Sequence, residues 1–356
     1  MDGLITSPQN PRIKAVAALR DRRDREQRGR IVIDGAREIL RALSGGAEVE
    51  ELFVCEPFCR TDDCRTALRE AERLGVARTY VGERAFEKIA FGERAEGLVA
   101  VARAPSIGLE ALRLPSDPLV IVLEGVEKPG NLGAIVRSVD GAGADALIVA
   151  GGGTDLFNPN AIRASVGTIF HVPVAAASIP EAIRWLHDLG LRVLAARVDG
   201  ARAYTNADLR GGVAIVLGSE AEGLSDAWSG SGIEAISLPM RGIADSLNVS
   251  AAAAVLLYEA RRQRDAGDAS GGGGPGGGLA TRPTTSAPAM PPGHGTRPPG
   301  LGRPHETGSA KSSRSASGPS PEPTPTASAT RAFGPVRKPA CSTPARAHCA
   351  LPPGNA

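Results

Sequence analysis

The chain has 356 residues, 42% of them hydrophobic, and a formal net charge of +2, enough for about two domains with ordinary cores. No apolar run reaches the ~20 residues a membrane helix needs, and the start Met1-Asp2-Gly3-Leu4 lacks a basic leader with an apolar core, so a soluble, cytoplasmic protein is expected. The 44 Gly and 28 Pro exceed what one globular fold uses and concentrate after Gly267, which predicts a folded part followed by a tail.

The opening Ile5 to Pro11 is turn chemistry, and from Arg12 the apolar positions Ile13, Val16, Ala17 and Leu19 fall at helical spacing, predicting a basic amphipathic helix. Between Arg12 and Arg30 stand Arg12, Lys14, Arg20, Arg22, Arg23, Arg25, Arg28 and Arg30 against Asp21, Asp24 and Glu26. This is the one dense cationic stretch before the tail. The pattern then predicts a strand at Arg30 to Asp34, a helix at Ala36 to Leu43 and a strand at Val49 to Val54. A helix near Cys64 to Leu74, a strand at Arg78 to Val81, a helix at Arg84 to Ile89 and a strand at Leu98 to Ala102 complete a small α/β domain, residues 1–104. Cys55, Cys59 and Cys64 cluster within it, but spacings of four and five lack the paired C-x-x-C of a zinc site, so free thiols and no metal are expected.

Residues 105–118 carry three prolines and no clear period, as a linker does. The second domain, residues 119–264, opens on Leu119 to Glu124, an unbroken apolar run of the kind buried parallel strands show. Helices are predicted at about Leu132 to Ala142, Pro159 to Ser165, Pro180 to Leu189 and Leu247 to Arg262. Extended segments are predicted at Ala146 to Ala150, His171 to Ala175, Arg192 to Arg197, Val213 to Leu217 and Ala235 to Leu238. Such alternation argues for a mostly parallel sheet covered on both faces. From residue 265 to 356 the chain is Gly, Pro, Ser, Thr and Ala with scattered Arg. It cannot bury enough apolar surface to offset its ordering entropy, and disorder is expected.

Three segments of the second domain follow strand-like runs, where open α/β sheets place ligand sites. In Lys128-Pro129-Gly130-Asn131-Leu132-Gly133-Ala134-Ile135-Val136-Arg137, Pro129-Gly130 makes a turn, Asn131 is a candidate helix cap, and Gly133 leaves room for another backbone. Arg137 is either a solvated helix residue or a guanidinium aimed into a cleft at the sheet's C-terminal edge. In Leu217-Gly218-Ser219-Glu220-Ala221-Glu222-Gly223-Leu224 the two glycines let the loop bend around a ligand while Ser219 and Glu220 supply polar contacts. In the third, Leu238-Pro239-Met240-Arg241-Gly242 ends a strand and Ser246-Leu247-Asn248-Val249-Ser250 opens the last helix. Gly141-Ala142-Gly143 closes a helix and precedes a strand, the wrong context for a dinucleotide fingerprint, which disfavours a nicotinamide-dependent oxidoreductase.

In this order the three segments resemble the SpoU (TrmH) family of RNA ribose 2′-O-methyltransferases, over roughly residues 117 to 262. The first domain is similar to that family's ribosomal-protein-like substrate-binding module, most clearly in Ser7 to Lys14 and Asp34-Gly35-Ala36-Arg37-Glu38. The resemblance implies a parallel sheet whose C-terminal part is threaded into a deep trefoil knot, contrary to ordinary topology, and a homodimer whose active site is completed across the interface. It implies S-adenosyl-L-methionine bound in the knot at Leu217, Gly218, Ser219, Ile236, Leu238, Met240, Leu247 and Asn248. Asn131, Arg137, Glu220, Ser246 and Asn248 match the positions serving RNA binding and catalysis. Lys128 and Ala221 stand where relatives often carry an acid and a glycine, and Asp34 replaces a frequent glutamate.

The expected reaction is attack of a ribose 2′-hydroxyl on a sulfonium methyl, with large-subunit ribosomal RNA the expected substrate. Transfer RNA methylation, or RNA binding without turnover, are the competing readings. A guanidinium of pKa ~12.5–13.8 rarely gives up its proton, so Arg137 is expected to hold the adjacent phosphate and stabilise developing alkoxide. Arg12, Lys14, Arg20, Arg22 and Arg23 are expected to contact RNA phosphates.

Overall fold

The computed structural model describes residues 3–91 and 96–271, with side chains to residue 267. Nearly all of the expected tail, with Cys341 and Cys349, lies outside the described residues.

The first module carries strands β1 (Arg30–Asp34), β2 (Val49–Val54), β3 (Ala77–Tyr80) and β4 (Leu98–Arg103), and helices α1 (Pro11–Ala18), α2 (Arg22–Arg28), α3 (Ala36–Ser44), α4 (Asp62–Arg73) and α5 (Glu83–Ile89). Its sheet has the order β1-β4-β2-β3, with β4 antiparallel to both neighbours and β3 parallel to β2. Alternation sends Ile31 and Ile33 to the face under α3 and α4, and Val32 to the face where Ile13, Val16, Phe86 and Ile89 of α1 and α5 pack. The basic stretch is two helices rather than one. Chain reversal at Leu19 to Asp21 ends α1, and the Asp21 carboxylate accepts the Arg23 N–H to start α2.

Cys59 and Cys64 form a disulfide, with Cα atoms 5.6 Å apart, and Cys55 stays a buried free thiol. The expectation of free thiols is corrected for this pair. The turn Glu56–Phe58 and the Thr61 cap of α4 fold the five-residue spacing back on itself. No group of metal ligands occurs among the described residues.

The second module contains β5 (Leu119–Glu124), β6 (Ala146–Ala150), β7 (Val174–Ala177), β8 (Arg192–Ala196), β9 (Arg202–Ala203), β10 (Val213–Leu217) and β11 (Ile233–Ser237). With them run α6 (Pro129–Ala142), α7 (Pro159–Ala164), α8 (Ile179–Asp188) and α9 (Val249–Gly271). All strand pairs are parallel, in the order β7-β6-β5-β10-β8-β11-β9. Its central strands β5, β6 and β10 are buried along almost their whole length, as their continuous apolar runs require.

Three boundaries differ from expectation by three residues or more. A 3-10 turn at Thr168–Phe170 delays β7 to Val174. Helix α6 begins at Pro129, three residues early, because proline is preorganised for a first turn and its missing N–H is no loss there. Helix α9 continues through residue 271 instead of ending at Arg262, so residues 265–271 are helical. Arg261 donates to the carbonyls of Ala142 and Gly143, and Arg264 to those of Asp117 and Pro118, so tertiary anchoring outweighs the weak helix propensity of Gly267. The segment 105–118 is packed: the Ile107 carbonyl accepts the Ala176 N–H at the β7 edge, and Leu112 is buried.

The two modules share a buried seam. Arg163 of α7 donates to Asp34 Oδ2 at 2.7 Å, and the same oxygen accepts the Phe91 N–H at 2.8 Å, while Asp34 Oδ1 is buried with no partner among the described residues. Burial, opposed by the Phe91 N–H and Arg163 and reinforced by Glu38 and Glu96, lifts the Asp34 carboxyl from 3.8 to about 6. An acid whose folded pKa is raised contributes stability that is complete below its unfolded pKa and lost as pH rises through the folded one. Asp34 should therefore remove on the order of 3 kcal/mol of stability between about pH 4 and pH 6. In urea unfolding at about pH 5 and about pH 7.5, the wild type should weaken across this range more than Asp34→Asn does. Parallel pH profiles would refute this assignment.

Candidate active site

The C-terminal ends of β8, β10 and β11 lie side by side, since β8 sits between the other two. Their loops enclose a cavity of about 740 Å³. At the end of β10 the chain turns back on itself: the Ser219 carbonyl accepts the Gly223 N–H at 3.0 Å, and the Ser219 hydroxyl accepts the Glu222 N–H at 3.1 Å. A Cβ on Gly218 would lie 2.1 Å from the Gly223 carbonyl carbon, and Gly223 has φ +70°, a backbone state that favours glycine. Both glycines are thus needed for this closed loop.

Leu217, Gly218, Ser219, Leu238, Met240 and Leu247 line the cavity, as does Ser246. Two of the expected cofactor positions do not. Ile236 is fully buried in the core beneath it, because the inward-facing residue of β11 supports the floor. Asn248 turns away to cap α9, its Oδ1 accepting the Ser250 N–H at 3.0 Å. Sequence reasoning missed the wall formed by Arg197, Val198 and Asp199 after β8, and also Asp245. The only sequence signal there is a loop following a strand, which every strand of the sheet shares. Its relevance depends on β8 being the neighbour of β10. Arg197 is held by Asp199 at 3.0 Å and by the Ser229 hydroxyl at 2.9 Å.

A second cavity of about 270 Å³, lined by Gly125 to Lys128, Asn131, Ser219 to Glu222 and Val249, shares its Ser219 to Glu222 wall with the first. Polar groups from all three motifs converge there. Glu220 accepts from Lys128 Nζ at 2.9 Å, from Asn131 Nδ2 at 3.2 Å and from Asn248 Nδ2. Asn248 Nδ2 also lies 3.2 Å from Asn131 Oδ1. Asn131 is therefore inside the first turn of α6 and is not its cap. Lys128, with the Val249 N–H and the Asn131 amide, holds the Glu220 carboxyl below the usual carboxylate range. An exposed, stabilised carboxylate is a poor proton acceptor. It accepts hydrogen bonds from both asparagine amides.

Arg137 is exposed on α6 and lines neither cavity. It has turned away from the Asn131 face, since six residues along a helix amount to about 240°. The expected projection into this chain's own cleft is corrected. Of the five expected RNA contacts, three are engaged within the protein. Arg12 pairs with Glu51 and Thr79, Arg20 lies 4.6 Å over the Phe91 ring, and Arg22 binds Glu26 at 2.7 Å and the Gly153 carbonyl at 3.0 Å. Lys14 and Arg23 are exposed, with no ion-pair partner among the described residues.

Residues 118–258 match the model of the SpoU rRNA Methylase family, and residues 10–100 that of an MRM3-like substrate binding domain. A 23S rRNA (guanosine(2553)-2'-O)-methyltransferase of Bacillus subtilis is 28% identical across 72% of this chain and 98% of its own length. A 23S rRNA (uridine(2479)-2'-O)-methyltransferase of Streptomyces viridochromogenes is 31% identical across 70% of this chain and 88% of its own. Among solved structures, an RNA 2'-O ribose methyltransferase is 42% identical with a TM-score of 0.66, covering 73% of this chain and 99% of its own. A SpoU methyltransferase of Streptomyces viridochromogenes in complex with AdoMet has 28% identity and a TM-score of 0.65, over 72% of this chain and 98% of its own.

Proposed function

Because this chain belongs to the SpoU family of RNA methylases, we propose that it transfers the methyl group of S-adenosyl-L-methionine to a ribose 2′-hydroxyl of 23S ribosomal RNA. The observation that carries this reading is the larger cavity at the ends of β8, β10 and β11, sharing one wall with the Asn131, Glu220 and Asn248 cluster.

The cavity suits the cofactor chemically. Leu217, Leu238, Met240 and Leu247 give apolar surface for a flat base, while Asp199, Glu220, Glu222 and Asp245 outnumber Arg197 among the charged lining groups, which favours a sulfonium cation over an anion. The backbone of the Gly218 and Leu238 loops supplies N–H and C=O groups to a ligand. When bound, the cofactor supplies an already activated methyl group, so no metal is required. Asn131 and Asn248, fixed by Glu220, orient the ribose, and this preorganisation is the chain's main contribution within one subunit. Arg137 binds the neighbouring phosphate and stabilises alkoxide character, and a phosphate oxygen or water takes the proton.

Arg137 performs this role from a second subunit. Its exposure on α6 supports a homodimer, as do the exposed Val255 and Tyr258 on the adjoining α9. A trefoil knot is supported by the strand order, in which the chain passes from β10 to β11 across β8 and then returns to pack α9 on α6. Action on ribosomal RNA supports a cytoplasmic location; among the described residues no helix is long and apolar enough to cross a membrane.

Incubation with labelled S-adenosyl-L-methionine and unmodified 23S rRNA, followed by ribose-methylation mapping, should show one labelled 2′-O-methyl nucleotide. Cofactor binding without transfer to 23S rRNA would overturn the proposal, and labelling of transfer RNA instead would reassign the substrate.

A further inference from the structure

The loop after β6 has three consecutive glycines with left-handed backbone, Gly151, Gly152 and Gly153, at φ +84°, +81° and +79°. Such a run is strained for any other residue, and none of the three lines the cofactor cavity. What it achieves is a contact with the first module. The Gly153 carbonyl accepts Arg22 Nη1 at 3.0 Å, and Asp155 forms an ion pair with Arg25. Arg25 is 4% exposed and also donates to the carbonyls of Leu19 and Arg20 at 2.9 and 2.8 Å, fixing the turn between α1 and α2. On its other side the same loop reaches the smaller cavity. Thr154, 6% exposed, donates its hydroxyl to the Val126 carbonyl at 2.9 Å. Gly153 has room for only an ordinary contact with Glu127, whose Oε1 would lie 3.5 Å from an added Cβ. Val126 and Glu127 line that cavity.

We infer that the Arg25 and Asp155 pair is a positioning device: through Thr154 it locks α2 of the substrate-binding module to the wall of the ribose pocket, and so sets which ribose of the bound RNA is methylated. The inference rests on the methyltransferase reading above. Elsewhere the modules are joined by Arg163 with Asp34 and by Arg41 with the Val166 carbonyl, so the Arg25 contact is not required merely to keep them together. It is the contact next to the smaller cavity, and it carries the exposed Arg23 with it on α2. RNA held by α2 through phosphate contacts has no sequence information of its own, so its register in the pocket follows the placement of α2. A displacement of ~1 Å at a reacting centre costs on the order of 100-fold in rate.

Two variants test this on the full-length protein with unmodified 23S rRNA: Asp155→Asn, which removes the charge, and Thr154→Val, which cuts the link to Val126 at nearly constant volume. Both should lower kcat/KM for RNA by about tenfold or more and spread methylation onto neighbouring riboses, with cofactor affinity by calorimetry within about twofold of wild type. Asp155→Glu should restore single-site product. If both variants keep one product nucleotide and wild-type kcat/KM, the inference is wrong. Should Asp155→Asn lose cofactor binding and so prove misfolded, the Thr154→Val product pattern decides alone. A wild type that methylates no ribose would instead defeat the functional reading.

Discussion

Replacing Gly218 by alanine is expected to weaken S-adenosyl-L-methionine binding on the order of 100-fold or more. The new methyl would meet Gly223 carbonyl atoms at 2.1 Å and the Leu224 nitrogen at 2.5 Å. These are backbone atoms tied by the Ser219 to Gly223 pairing, so they cannot yield as a flexible side chain does. Overpacking of a tight site costs ~1–3 kcal/mol and occasionally more, and each 1.4 kcal/mol is tenfold in affinity. Opening the loop also displaces Glu220, which the same turn carries, so turnover should fall along with binding. Calorimetric titration measures the first effect and methyl transfer at saturating cofactor the second. An affinity within about threefold of wild type would show that the loop does not grip the cofactor. Gly133 makes a useful contrast: its added Cβ would lie 2.4 Å from Ala164 Cβ where α6 crosses α7, a strain that should lower stability instead.

Arg137→Ala should reduce kcat by about 100- to 1,000-fold, the usual cost of deleting one preorganised group that stabilises developing charge. Cofactor affinity should not change, because the contact proposed for Arg137 is with the RNA phosphate and not with the cofactor. Arg137→Lys keeps a charge but not the planar fork that grips a phosphate with two hydrogen bonds, and it should recover only part of the loss. Near-full turnover by the lysine variant with unchanged RNA affinity would remove the two-point contact from the mechanism. The proposed placement of Arg137 in the partner's site has its own signature. A mixture of Arg137→Ala with Gly218→Ala subunits should regain activity in mixed dimers, since one of the two sites then combines an intact loop with an intact arginine. Failure of an equilibrated mixture to exceed the separate variants would place Arg137 elsewhere.

Most element boundaries could be read from the chain. Strands β1, β2, β5, β6 and β10 fall where continuous or alternating apolar runs put them, because burial of a strand is a local pattern imposed by the pleat. The three motifs also marked loops that the fold brings together around the two cavities, since parallel strands deliver their loops at one end. Much of the basic stretch turned out to be engaged within the protein, for a physical reason. Its charge is balanced by acids distant in sequence, Glu51 for Arg12, Asp155 for Arg25 and Glu50 for Arg30. Net charge along a chain does not reveal which cations fold against carboxylates. Asn131 was legible as a polar residue at a helix start, but its bonds to Glu220 and its neighbour Asn248 needed the intervening strands to close first.

By itself the sequence determined the two α/β modules and the residue types available for a methyl-transfer site, because hydrophobic periodicity and glycine placement act over a few residues. Only the tertiary structure decided which of those residues meet. Strand order brought Val198 and Asp199 beside Gly218, turned Arg137 outward, and set Arg25 against Asp155 across the module boundary. Such pairings depend on crossovers between distant segments, where buried charge must find a partner, and no local pattern encodes that choice.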